Sequence, residues 1–157
     1  MQESVQRFVE QMGLLCESEG LPRNAGRILG LLLAEDGPFS LDELADELQA
    51  SKASVSTNAR MLEQQGMIRR VGAPGDRRDF YQVDGDPWES MLDVGRVKWR
   101  QMARVLEEAA GELPEANVKG KQRLRDAALF HLLLLEESQK LVEAWRKRRA
   151  EGRAAGK

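Results

Sequence analysis

Apolar residues recur at three- and four-residue steps from the start of the chain: Val5, Phe8, Val9, Met12, Leu15 and Cys16, with Glu3, Arg7, Glu10, Gln11 and Glu17 among them. This is a helical period. It predicts a helix over residues 2–19, stopped by Gly20. Leu21-Pro22 opens a second helix, since proline suits an early helical position. Its buried face is Ala25, Ile28, Leu29 and Leu32, and Gly37-Pro38 ends it. Gly26 and Gly30 clear one strip of side chains. Each costs about 1 kcal/mol in a helix, so the pair predicts close approach by another helix. Arg23 and Arg27 share a face one turn apart, with two readings open: salt bridges to nearby acids, or contact with a phosphate or a second subunit.

Ser40 is a good N-cap, and Glu43 three residues on completes a capping box. Leu41, Leu44, Ala45 and Leu48 then face inward, and Phe39 is placed to form a short strand. After a turn at Gln49-Ala50, Ser51 caps a helix whose buried side is Val55, Ala59 and Leu62. At one hundred degrees per residue the opposite side presents Ala53, Ser54, Thr57, Arg60 and Gln64, with Ser56 on the flank. Gly66 closes that helix. Two short segments, Met67–Val71 and Phe80–Val83, flank a polar tip over 72–79 that contains the turn signal Pro74-Gly75. Helix, turn, helix and two-stranded hairpin is the order of a winged helix-turn-helix.

The second half is longer in period. Residues 84–87 read as a linker, and Asp86-Pro87 sets up a helix start. Trp88, Leu92, Gly95, Trp99, Met102, Leu106 and Ala109 then alternate four- and three-residue steps, a coiled-coil-like seam. Pro114 lies in a break over 111–120, and a last helix is expected from about Lys121 to Arg149. Its stretch Ala128–Leu135 is apolar nearly all round, more than one packed side requires, so a second subunit is expected to cover it. The basic end of the chain, 151–157, reads as a frayed tail. The expected divisions are a dimerisation helix at 1–20, a winged motif at 21–86, a helical dimerisation region at 87–150, and that tail.

Composition narrows the function. The chain's 157 residues are enough for a buried core, and 32% are charged. The net charge of −2 gives no general sign of nucleic-acid binding. Charge is local instead: between Lys52 and Asp79 six basic residues face three acids, which puts positive potential on the segment that would meet DNA. Small polar side chains on an exposed helix face suit entry into a major groove, where hydroxyls and methyls read base edges. They also suit a plain solvated surface; the supporting helix and hairpin favour the first reading. On it Ser54, Ser56 and Thr57 read bases, while Lys52 and Arg60 at the margins contact phosphates. Arg77 and Arg78 at the tip suit a minor groove, with Asp76 fixing their direction.

Other chemistries find little here. With one His and one Cys, a metal site of the usual ligand sets is not expected, nor is a cofactor. His131, between Phe130 and Leu132, reads as a packed, hydrogen-bonded side chain. Cys16 lies on the apolar stripe without a basic neighbour, so an inert thiol in a reducing cytosol is expected. No phosphate-cradling loop or nucleophile elbow appears, so an enzyme is not expected. The acidic N-terminus does not read as a leader, and no apolar run approaches a membrane span. A cytoplasmic location is expected.

The stretch Ser40–Val83 resembles the MarR-type winged helix. Gly20–Leu33 and Pro74–Tyr81 narrow the likeness to the GbsR-like branch. It covers about the first ninety residues. The resemblance implies a mainly α fold with a small β-hairpin wing, and long N- and C-terminal helices joined into a homodimer. It further implies that 51–65 is the recognition helix, and that Asp76 and Arg78 match the Asp-x-Arg of the family's wing. The segment after the tip lacks the Val-x-Leu-Thr ending common in the wider family. GbsR-like proteins are associated with choline and glycine-betaine metabolism, so Tyr81, Trp88 and Trp99 (with Trp145) enter as a candidate aromatic cage for a quaternary ammonium effector. Large aromatics also serve as core anchors, and both readings stand. The function expected is a homodimeric regulator of transcription that binds double-stranded DNA, a repressor rather than an activator. The alternative is a winged-helix protein-interaction module without DNA binding.

Overall fold

The computed structural model describes residues 1–72, 74–83 and 85–155. Ala73 of the expected tip, Asp84 of the expected linker and residues 156–157 of the expected tail lie outside the described residues. In order the chain forms α1 (Glu3–Ser18), α2 (Arg23–Ala34), β1 (Phe39–Ser40), α3 (Leu41–Glu47), α4 (Lys52–Gln64), β2 (Arg69–Gly72), β3 (Asp79–Gln82), α5 (Pro87–Glu112) and α6 (Val118–Ala155). The three strands form one antiparallel sheet in the order β1-β3-β2. Two compact units result, one over Met1–Met91 and one from Leu92 onward. No helix among the described residues is long and apolar enough to cross a membrane.

In the first unit, α2 is the central helix. Ala25, Ile28, Leu29, Leu31 and Leu32 are buried, and they meet Leu44, Ala45 and Leu48 of the α3 segment and Val55, Ala59 and Leu62 of α4. Gly26 and Gly30 admit α1 as expected. A Cβ at Gly26 would stand 2.3 Å from the Met12 carbonyl oxygen, and one at Gly30 would stand 3.1 Å from Met12 Cβ. Gly13 contributes from the other side, since a Cβ there would stand 2.7 Å from Arg27 Cγ.

Helix ends are set locally. The capping box forms: Glu43 N–H donates to Ser40 Oγ at 3.2 Å, and Ser40 N–H donates to Glu43 Oε2 at 2.7 Å. The bond from Ser40 N–H, with the Ser40 hydroxyl beside it, holds the Glu43 carboxyl below the ordinary range. Ser51 Oγ accepts from Ser54 N–H at the start of α4. α1 and α4 both end in a left-handed glycine, Gly20 and Gly66. In each, the next residue's N–H reaches back six residues in all, Leu21 to Cys16 O and Met67 to Leu62 O. α3 ends with the same bond, Ala50 N–H to Ala45 O, but its left-handed residue is Gln49 at φ 47°. That side chain pays a steric cost a glycine would avoid.

The second unit departs from the expected seam. Beyond Met91, Ala103 and Ala110 are the buried positions of α5, at 3% and 1% exposure, whereas Met102 is 48% exposed. Hydropathy singled out the larger Met102, but a small side chain permits the closer approach. α6 begins at Val118 and remains helical through Ala155, so the described part of the expected frayed tail is helix. Ala128, Ser138 and Val142 are buried at steps that fit one helix face, and Lys121, also buried, pairs with Glu115. Arg96 of α5 donates to Gln139 of α6 at 2.6 Å. Leu129, Phe130, Leu132 and Leu133 remain at 47–65% exposure. His131 is half-buried and its Nδ1 donates to Ala127 O at 2.7 Å.

Candidate nucleic-acid interface

α4 is anchored on one side and open on the other. Val55 and Ala59 have no measurable exposure and Leu62 has 4%. Asn58 joins this buried side, its amide donating to Ser54 O at 2.8 Å within the same helix. The exposed face carries Ala53, Thr57, Arg60 and Gln64. Thr57 and Arg60 therefore stand where the pattern placed them. Arg60 Nε lies back along the helix on Ser56 O at 3.3 Å, and Ser56 is half-buried on the flank.

Ser54 differs from the expected open position. It is half-buried, and its hydroxyl accepts from Asn24 Nδ2 of α2 at 2.8 Å. The reason is rotational: Ser54 lies one residue from Val55 and one turn before Asn58, so it falls on the edge of the buried side rather than opposite it. Lys52 is 69% exposed and pairs with Asp42 of α3 at 2.8 Å. Solvent screens an exposed pair of this kind, so Lys52 can exchange Asp42 for another anion at small cost.

At the tip, Asp76 grips one arginine. Arg78 N–H donates to Asp76 Oδ1 at 2.9 Å, and the guanidinium closes a fork on the carboxylate with its shortest bond at 2.7 Å. These bonds hold the Asp76 carboxyl below its ordinary range. The Arg78 guanidinium carbon also lies 5.0 Å from the centre of the Phe80 ring, within cation–π range. Arg77 is exposed, with no ion-pair partner among the described residues. Asp76 therefore divides the pair: Arg78 is fixed and partly neutralised, and Arg77 keeps its charge. At the base of the hairpin, Arg70 of β2 pairs with Asp79 of β3 at 3.2 Å and lies 3.7 Å from Glu63 of α4.

Behind α4, Arg23 and Arg27 form the ion pairs that one of the two readings expected. Both reach Glu10 of α1 at 2.8 Å. Arg27 also donates to Asn24 Oδ1 and to Leu48 O, the last carbonyl of the α3 turn. Asn24 carried no signal in the hydropathy pattern, whereas Asn58 had one, as a polar residue on the apolar side of α4.

The aromatic residues do not share one setting. Tyr81 is 3% exposed and belongs to the hydrophobic core of the first unit; burial pushes its hydroxyl up. Its ring is a core anchor. Trp88 is 41% exposed. Trp99, in the second unit, lies against Gly95, where a Cβ would stand 3.0 Å from its ring. Among the described residues no group of three His, Cys, Asp or Glu is placed to hold a metal ion. Cys16 is half-buried, and burial raises its thiol pKa.

Comparison with known proteins adds four findings. The model of the MarR family matches residues 19–79, from just before α2 to the start of β3. The HTH-type transcriptional regulator MmpR5 of Mycobacterium tuberculosis is 36% identical over 130 residues, 80% of this chain and 79% of that protein. The HTH-type transcriptional repressor GbsR of Bacillus subtilis is 28% identical over 143 residues, 87% and 78% of the two chains. A solved structure described as a transcriptional regulator superposes with a TM-score of 0.71 at 33% identity, covering 89% of this chain and 99% of that one.

Proposed function

The chain belongs to the MarR family and is a DNA-binding transcriptional regulator, and from that premise we propose that it is a cytoplasmic, homodimeric repressor. In this reading α4 enters the major groove and the hairpin tip enters the neighbouring minor groove. Thr57 and Ser56 face base edges, Lys52 and Arg60 face phosphates, and Arg77 probes the narrow groove. The observation that carries the proposal is the division of α4, welded to the core by Val55, Ala59 and Leu62 yet open along Ala53, Thr57, Arg60 and Gln64. A helix held so firmly on one side presents the other without further ordering cost.

Dimerisation is supported by the apolar side chains that α6 leaves in water. Fully burying one leucine or phenylalanine contributes about 1.5–3 kcal/mol, and Leu129, Phe130, Leu132 and Leu133 are all half or more exposed or close to it. Two subunits would then read half-sites about one helical turn apart or a multiple of it. A quaternary ammonium effector gains no support from Tyr81, whose ring is in the core.

The test is fluorescence anisotropy across a salt series, on a duplex recovered by in vitro selection from a random pool, with a scrambled duplex beside it. Affinity is expected to fall steeply with salt as counterions are released. Arg77→Ala is expected to reduce the salt slope by about one; Arg78→Ala is expected to change it less, because Asp76 already neutralises that charge. Binding that ignores salt, or no enriched duplex, would instead favour a winged-helix module that binds protein.

A further inference from the structure

Four helices of the first unit are joined by one line of polar contacts. Glu10 on α1 accepts from Arg27 Nε at 2.8 Å. Arg27 Nη1 donates to Asn24 Oδ1 at 3.0 Å, and its Nη2 donates to Leu48 O at 2.7 Å. Asn24 Nδ2 donates to Ser54 Oγ at 2.8 Å, in the first turn of α4. Asn58 holds the same turn from below, through Ser54 O.

We infer that Arg27 and Asn24 are positioning residues for sequence discrimination: the line Glu10–Arg27–Asn24–Ser54 fixes the angle at which α4 meets DNA. The inference rests on the reading of α4 as the groove-entering helix. Its physical basis is the number of independent directions one side chain satisfies. The guanidinium fork of Arg27 faces three acceptors on three elements, α1, α2 and the end of α3, and its side chain is only 19% exposed. A planar fork fixes all three at once, which a lysine ammonium on a flexible stem does not reproduce. Leu48 O is one of the carbonyls a helix end leaves unpaired, so its bond to Arg27 holds the end of α3. Asn24, oriented by Arg27 at its oxygen, holds the start of α4 with its nitrogen. The turn of the motif is thus tethered to α2 on both sides.

The tether matters for discrimination because base contacts need a fixed helix angle, whereas phosphate contacts from long side chains at the margins tolerate a change in it. Neither Arg27 nor Asn24 lies on the open face of α4, so loosening them leaves the side chains of that face unchanged.

The experiment uses the full chain with Arg27→Lys and Asn24→Ala, both of which keep the net charge. Binding to the selected duplex and to its scramble is measured across a salt series, below the thermal midpoint of each variant. The selected-to-scrambled affinity ratio is expected to fall about tenfold, within the range of coupling seen between sites, with scrambled binding and salt slope unchanged. A merely structural role would lower the thermal midpoint and leave the ratio of the folded protein intact. The inference is overturned if both variants keep the wild-type ratio, or if binding to the two duplexes falls in step. Failure of the wild-type protein to enrich any duplex is a separate result: it removes the reading of α4 itself and the positioning role with it.

Discussion

Replacing Gly26 by alanine tests the closest helix contact in the first unit. Two effects oppose each other. Alanine favours the helix by about 1 kcal/mol over glycine. Against this, the new methyl would stand 2.3 Å from the Met12 carbonyl oxygen and 2.8 Å from Cys16 Sγ. The oxygen belongs to the backbone of α1 and cannot rotate away, so α1 itself must retreat. Overpacking of this kind costs about 1–3 kcal/mol, and a rigid neighbour puts it at the upper end. The difference is a net loss of about 2 kcal/mol, or roughly 4–8 °C in Tm for a chain of this size. Gly30→Ala meets Met12 Cβ and Cγ at 3.1 and 3.2 Å, and Val9 Cα at the ordinary contact distance of 3.4 Å. A shift of a few tenths of an ångström relieves these contacts, and the helix preference for alanine offsets its cost, so stability should stay within about 1 kcal/mol of the parent. Gly111→Ala meets nothing within 4 Å and should gain about 0.4–1 kcal/mol. Calorimetric unfolding of the three variants is expected to rank them Gly111, Gly30, Gly26 from most to least stable. A Gly26→Ala protein as stable as its parent would refute the argument, because it would mean that α1 is free to move at no cost.

Three further outcomes follow from local chemistry. The Glu10 carboxyl is held below the ordinary range by its hydrogen bond to Arg23 and by Arg27, so its stabilisation is complete above that range and is lost as pH falls through the folded-state value. The Tm difference between the parent and Glu10→Gln should shrink on acidification; a difference that grows toward acid would reverse the sign. Gln49→Gly should raise stability by about 0.5–1 kcal/mol, since it relieves a left-handed side chain, and denaturant melts showing a loss would count against that account. Burial raises the Cys16 thiol, with Glu19 adding to the effect, so iodoacetamide should label the folded protein far more slowly than the unfolded one at neutral pH. Equal rates would mean the thiol is not shielded.

Much of the first unit was legible because its signals are local. Ser40 with Glu43, Ser51, Gly20 and Gly66 mark helix ends within a few residues of themselves, and Val55, Ala59 and Leu62 mark a face by period alone. Gly26 and Gly30 announced a close crossing before any partner was known. What stayed hidden depends on distances between elements. Nothing in the spacing of Asp76, Arg77 and Arg78 decides which arginine the carboxylate takes; the turn brings the N–H and guanidinium of Arg78 onto it together. Asn24 and Ser54 lie thirty positions apart, and neither declares itself as half of a pair. In the second unit, hydropathy ranked Met102 above Ala103, whereas close packing selects the smaller residue.

Ser40 has a consequence for how the length of this chain can vary. It pairs with Phe80 as the second residue of β1 and caps α3 in the same position, so strand and helix meet with no spacer between them. One residue inserted there would turn Phe39 or Ser40 away from β3 and would separate the capping hydroxyl from Glu43. The tip between Gly72 and Asp79 has no such double duty, as its ends are held in register by Gly72 and Asp79 themselves. Insertions and deletions are therefore expected to collect at the tip and to be absent at the β1–α3 junction, which makes the reach of the wing adjustable while its hinge stays fixed.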